Sequence, residues 1–110
     1  MTRSNSSNQR PSESGTGKTV IPVAVFRLGR IVATPNALES LGPDEILLGI
    51  QRHQAGDWGN LPDEDRMAND RALAQGGRIF SAYETHNGIR FWIITEADRS
   101  VTTVLLPEDY

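Results

Sequence analysis

RIFSAYETHNGIRFWIITEADRSVTTVLLP, residues 78–107, is the stretch that decides the fold. Apolar and polar side chains alternate in three runs, RIFSAYE, IRFWIIT and VTTVLLP, rich in the β-branched and aromatic residues that suit a half-buried pleated surface. The first break, Thr85-His86-Asn87-Gly88, ends in the Asn-Gly pair of a tight hairpin turn, and the second is the charged Ala97-Asp98-Arg99-Ser100. Three alternating runs with two short breaks predict an antiparallel meander.

Upstream of Gly76-Gly77 the period is helical. A helix is expected from about Pro62 to Gln75, with Asp63, Glu64 and Asp65 in its first turn, where carboxylates meet the positive end of the helix dipole. Before it, Pro43 and Asp44 open a helix whose Ile46, Leu47 and Ile50 recur at helical spacing until Gly56, with His53 on the Ile46 face. Thr34-Pro35 is an N-cap followed by proline at the first helical position, and it begins a short helix through Ala37, Leu38 and Leu41 that Gly42 ends. Earlier still, Val20 to Leu28 reads as a strand, and Leu28-Gly29-Arg30 as a turn into Ile31-Val32-Ala33, which predicts a second hairpin. The expected architecture is α+β in the order ββαααβββ, an antiparallel sheet of four to five strands with the helices packed on one face.

The chain has 110 residues and no cysteine, so one domain is expected, with neither a disulfide nor a zinc-thiolate site. Residues 1–19 are nearly all polar and are expected to be a disordered tail, leaving 20–110 as the domain. The tail is basic, with Arg3, Arg10 and Lys18 against Glu13, although the whole chain carries a net charge of −3. That balance argues against a dedicated phosphate-backbone surface. No apolar run reaches the length of a membrane span and no signal-peptide core follows Met1, so the expected setting is the cytoplasm. Gly15-Thr16-Gly17-Lys18-Thr19 matches the end of a phosphate-binding loop, yet Ser12 stands where the first glycine belongs and a strand pattern follows where a helix is needed. No nucleotide binding is expected from it.

Two polar clusters stand out. In His53-Gln54-Ala55-Gly56-Asp57-Trp58-Gly59-Asn60, a helix end runs into a glycine-flanked turn. There Trp58 reads as a plug between helix and sheet, and His53 as a core histidine. The functional alternative makes His53 a general acid or base whose tautomer Asp57 fixes. In Thr95-Glu96-Ala97-Asp98-Arg99-Ser100-Val101-Thr102-Thr103, the Arg99 fork and the hydroxyls match a phosphate, but Glu96 and Asp98 oppose an anion. If the chain is an enzyme, the catalytic candidates are His53, Asp57, Arg99 and Thr102. If it is a binding module, they are Trp58, Arg78, Ser81, Glu96 and Arg99. Ser81 and Tyr83 share a face with Ile79 and read as half-buried packing residues, while Phe80, Phe91 and Trp92 read as core. His53 and His86 are the two histidines and no His-x3-His spacing occurs, so neither a metal nor another cofactor is expected.

The string Leu28-Gly29-Arg30-Ile31-Val32-Ala33-Thr34-Pro35-x-Ala37-Leu38, then His53-x-x-Gly56-Asp57-Trp58-Gly59, then Trp92-Ile93-Ile94-Thr95-Glu96-Ala97-Asp98-Arg99-Ser100-x-Thr102-Thr103 and Leu105-Leu106-Pro107-Glu108-Asp109-Tyr110 resembles a family of small bacterial proteins of plasmids and other mobile elements. The resemblance covers residues 28–110. It implies a bacterial, horizontally mobile origin and no established chemistry. Some members carry the name type I restriction methylase subunit, but this chain has neither a Gly-rich S-adenosylmethionine loop nor an Asn-Pro-Pro-Tyr-like motif. In layout, a meander bearing Arg78, Ser81, Thr95, Arg99 and Thr102 after a helical region bearing His53 is similar to barnase-like and RelE-like ribonucleases. The expected role is an accessory protein of a mobile element, a non-catalytic module for a protein or nucleic-acid partner. A metal-independent ribonuclease or toxin is the alternative.

Overall fold

The computed structural model describes residues 23–110. The expected tail and the start of the expected first strand, Val20 to Pro22, lie outside the described residues. The fold is α+β, in the order β1 (Arg30–Ala33), α1 (Pro35–Ser40), α2 (Pro43–Gln54), α3 (Asp63–Gln75), β2 (Ile79–Glu84), β3 (Arg90–Thr95) and β4 (Val101–Leu105), closed by a single 3-10 turn at Pro107–Asp109. The meander forms as the alternation predicts: β2 pairs antiparallel with β3, and β3 with β4.

The N-terminal hairpin does not form. Val23–Gly29 runs without strand pairing, and β1 joins the sheet beside β4 in parallel, giving a mixed four-stranded sheet in the order β1-β4-β3-β2. Gly29 is the reason the chain passes so close. Its φ is +65°, and a Cβ there would collide with the carbonyl oxygens of Arg99 and Ser100. The glycine read as a hairpin turn is thus the point where β1 is admitted to the edge of β4. Val23–Gly29 is instead tied to the helical layer, with the Val25 amide donating to the Gln54 carbonyl at 2.8 Å and the Gln54 amide donating to the Phe26 carbonyl at 3.2 Å.

The helix boundaries follow local chemistry. Thr34 Oγ1 accepts from the Ala37 amide at 3.1 Å, and its hydroxyl donates to Asp109 at 2.6 Å, so one side chain caps α1 and anchors the C-terminal turn. The Glu45 carboxylate accepts from the Gly42 amide at 2.8 Å to cap α2. At the other end of the helical region α3 stops at Gly76 and Gly77, whose φ values of +87° and +137° divert the chain into β2.

Residues from α1 and α2 cover one sheet face, where Ala37, Leu41, Tyr83, Phe91, Ile93, Val104 and Leu106 form a buried cluster. Gly49 permits the close approach of α2, since a Cβ there would press on the Phe91 ring at 2.8 Å. The third helix lies along the outer edge of β2. There the buried Asn69 amide donates to the Phe80 carbonyl at 2.7 Å and accepts from the Phe80 amide at 3.1 Å, as a neighbouring strand would. One step along, the Trp58 carbonyl accepts from the Ala82 amide at 3.1 Å and the Asn60 amide donates to the Ala82 carbonyl at 2.7 Å. This edge of the sheet is therefore closed by the chain itself. None of the described helices is long and apolar enough to cross a membrane.

Candidate functional site: a closed imidazole chain and an open sheet face

His53 stands on the inner face of α2 and is fully buried, as are Ser81, Thr95 and Thr102. Its Nδ1 lies 2.6 Å from Ser81 Oγ and its Nε2 lies 2.9 Å from Thr95 Oγ1. Thr95 Oγ1 is 2.7 Å from Thr102 Oγ1, and the Thr102 hydroxyl donates to the Leu28 carbonyl at 2.7 Å. That carbonyl can only accept, so it fixes the direction of the whole chain. Thr102 spends its one proton on Leu28, Thr95 must then donate to Thr102, and His53 must donate from Nε2 to Thr95. Nδ1 is left bare and takes the Ser81 proton. Burial lowers the His53 pKa from 6.5 to about 4, which keeps the ring neutral in this arrangement. The Phe26 and Trp58 rings stand edge-on to the imidazole at 5.1 and 6.0 Å and complete its enclosure. A proton can be held here, but no substrate reaches the ring.

His53 is the core histidine expected, and the functional alternative that paired it with Asp57 does not form. Asp57 instead binds Arg52 through both oxygens at 2.7 and 3.3 Å and accepts from the Gly59 amide at 3.2 Å; the Arg52 hydrogen bond leads the causes that hold its carboxyl below the usual range. The side chain fails to meet His53 because it lies past the helix end, where α2 gives way to the Gly56 turn. Trp58, proposed as a binding residue, is 4% exposed and packed among Phe26, Leu61, Ala72 and Ile79; the plug reading holds and a partner has no access to it. Ser81 is likewise removed from any surface role, because its hydroxyl closes the imidazole chain. It is fully buried where half-burial was expected.

Arg99 is also spent. It is the single non-glycine among the described residues with positive φ, +62°, and it turns back over the end of α3. Its Nη1 lies within hydrogen-bond distance of the carbonyls of Gly77 (2.6 Å), Glu96 (3.2 Å) and Ala97 (3.1 Å), and its Nη2 donates to that of Ala72 at 3.1 Å. The guanidinium thus satisfies carbonyls where α3 and the β3–β4 turn meet, which is the role a phosphate would have to displace. The four catalytic candidates do not assemble. His53 and Thr102 share the buried chain, and Asp57 and Arg99 each serve a separate local structure.

The opposite sheet face carries a different set. Alternation places Phe80, Trp92 and Ile94 on this face, with Phe80 and Trp92 half-buried and Ile94 buried beneath them, and Tyr110 folds back from the C-terminal turn to meet Trp92 at 5.8 Å between ring centroids. Phe80 meets Trp92 edge-to-face at 5.1 Å. Of the three aromatics read as core, Phe91 is buried under the helices, Phe80 is half-buried and packs against the cluster of Trp58, Leu61, Ala72 and Ile79, and Trp92 is half-buried on this face, because neighbours along a strand point to opposite sides. Arg78 donates to the Tyr110 hydroxyl at 2.9 Å and stands 3.4 Å from Glu96. Arg78, Phe80, Trp92, Ile94 and Tyr110 line an open groove of about 330 Å³. On the other flank of Trp92 lies a second groove of about 310 Å³, bordered by Asn60, Glu84 and Arg90. Of the sequence candidates, Arg78 and Glu96 are brought together here; Trp92 and Tyr110 were not among them. The signal for Trp92 was its parity with Phe80 across the Ala82–Trp92 pair of the register.

No group of three or more potential metal-ligating side chains occurs among the described residues. Comparison with known protein families, with characterised proteins and with solved structures finds no match to this chain.

Proposed function

We propose that this chain is a non-catalytic interaction module, a cytoplasmic accessory protein of a mobile genetic element, which receives a partner protein on the open face of its sheet. One observation carries the reading: the polar groups are divided. His53, Thr102 and Arg99 use their hydrogen bonds inside the fold, whereas Arg78, Trp92 and Tyr110 border an open groove. A protein suits this face better than a nucleic acid. Arg78 stands against Glu96, and Arg90 lies opposite Glu84 in the strand register, so the cations of the face are balanced. An aromatic centre with a mixed-charge rim fits the anatomy of protein interfaces, while a phosphate backbone is held by cations in excess. The mobile-element setting rests on the resemblance of residues 28–110.

A photo-crosslinking phenylalanine analogue at Tyr110, in the full chain, tests this in lysate of a bacterial host. The expected result is a discrete protein adduct that disappears in folded Trp92→Ala, together with no cleavage of labelled RNA. A crosslink to nucleic acid in place of protein would refute the protein partner. RNA cleavage that is lost in folded His53→Asn would put the ribonuclease reading in its place.

A further inference from the structure

The sheet has two edges, and the chain closes one of them. Along β2, the Trp58 carbonyl, the Asn60 amide and the Asn69 side chain take the backbone groups that face away from β3. The other edge is β1, and no described residue pairs with its outer side. The parallel ladder fixes which groups are left there. The Arg30 amide donates to the Ser100 carbonyl and the Thr34 amide to the Val104 carbonyl, each at 3.0 Å, so Arg30, Val32 and Thr34 turn their backbone groups toward β4. Ile31 and Ala33 turn theirs away from the sheet. Ile31 is also 47% exposed, and neither lysine nor proline, the usual guards of a free edge, stands within Arg30–Ala33.

This short edge is complementary to itself. In an antiparallel pair of two β1 strands centred on Val32, Ile31 of each copy faces Ala33 of the other, and these are the residues whose amides and carbonyls are free to exchange hydrogen bonds. The ends of the strand agree with that register. Pro35, which has no amide to offer, follows it on one side, and Gly29 at φ +65° turns the chain on the other. Charge agrees as well. Arg30 falls opposite Thr34 of the second copy, whose hydroxyl holds Asp109 beside exposed Glu108, and Arg30 makes no ion pair among the described residues. The two arginines stand at opposite ends of the seam, each across from an acidic turn. Apolar cover comes from the helical side, where Ile31 points with its register neighbour Thr102, and where Leu38 of α1 is 61% exposed.

We infer that this chain pairs with a second copy of itself through β1, antiparallel about Val32, so that two four-stranded sheets become one. The twofold axis then stands perpendicular to the sheet and both open faces look to the same side, with the strands that carry Trp92 about 24 Å apart at the usual strand spacing. Assembly stops at two copies, because the β2 edge is closed. The experiment uses the full chain, which has no cysteine of its own. Val32 meets its counterpart across the axis as a non-hydrogen-bonded pair with Cα atoms about 4.5 Å apart, a separation that a disulfide spans. Under mild oxidation Val32→Cys should give a covalent dimer, whereas Thr103→Cys, one strand further from the axis on the same face, should stay monomeric. In sedimentation the parent should be a dimer, and Ile31→Lys, with the parent's circular dichroism, should raise the dissociation constant about tenfold or more. A parent that sediments as a monomer at the concentration of the crosslinking, or a Val32→Cys chain that crosslinks no faster than Thr103→Cys, overturns the proposal. A dimer that survives Ile31→Lys and is broken by Leu47→Asp belongs to the helical side and overturns it as well.

Discussion

Acid should unfold this protein through His53. In the folded state burial holds the imidazole at a pKa of about 4, against 6.5 for the same group in an unfolded chain. Because the unfolded state takes up the proton first, stability is complete above about pH 6.5, declines as the pH falls, and levels off below the folded value. At about 1.4 kcal/mol for each tenfold difference in proton affinity, the gap between the two states comes to roughly 3 kcal/mol, of which about 2 kcal/mol is lost between pH 6.5 and 5. That is a large part of the stability of a small domain. The depressed carboxyls Asp57, Asp98 and Asp109 act in the same direction, but only as the pH falls toward the ordinary carboxylate value of 3.8, where the unfolded chain takes up their protons before the folded one does, so the window from 6.5 to 5 isolates the histidine from them. Urea unfolding followed by fluorescence of Trp58 and Trp92 at half-unit steps of pH measures the slope. His53→Gln should be less stable at pH 7 by about 2 kcal/mol or more, since it breaks a buried chain of hydrogen bonds, and its stability should be flat across the window. A parent protein whose stability does not change from pH 7 to 5, or a variant that keeps the slope, would refute the reasoning.

Trp58→Ala empties the space between Phe26, Leu61 and Ile79 and should cost about 3–5 kcal/mol in urea unfolding, with little change if the ring were a surface contact. Arg99→Ala leaves the Ala72 and Gly77 carbonyls without their guanidinium donor, and a loss of about 1–3 kcal/mol in the same assay is expected. Asn69→Leu strips the strand-like cover from Phe80 and reopens the edge of β2; light scattering should report concentration-dependent association beyond that of the parent.

Every element whose boundary is set by neighbours in the chain was legible in the sequence. Thr34-Pro35 started α1, Gly76-Gly77 ended α3, and Asn87-Gly88 turned β2 into β3, because caps and turns depend on φ, ψ and hydrogen bonds within a few residues. The parity of each strand was equally local, so Ile79, Ser81 and Tyr83 did share the inner face. What lay beyond the sequence was choice of partner. Period-2 alternation says that Ile31-Val32-Ala33 has two faces, but not whether it pairs with Val20–Leu28 eight residues away or with Val101–Val104; close approach at Gly29 decided that. The same limit explains the site. His53 was legible as a core histidine from its place on the Ile46 face, yet its tautomer is set by Ser81, Thr95, Thr102 and the Leu28 carbonyl, which only the packed sheet brings to it. Asp57, near in sequence, goes to Arg52. Local backbone energies act over a turn or two of chain, whereas a buried polar group takes whichever donor or acceptor the tertiary packing delivers, since leaving it unpaired costs more than any sequence preference can offset.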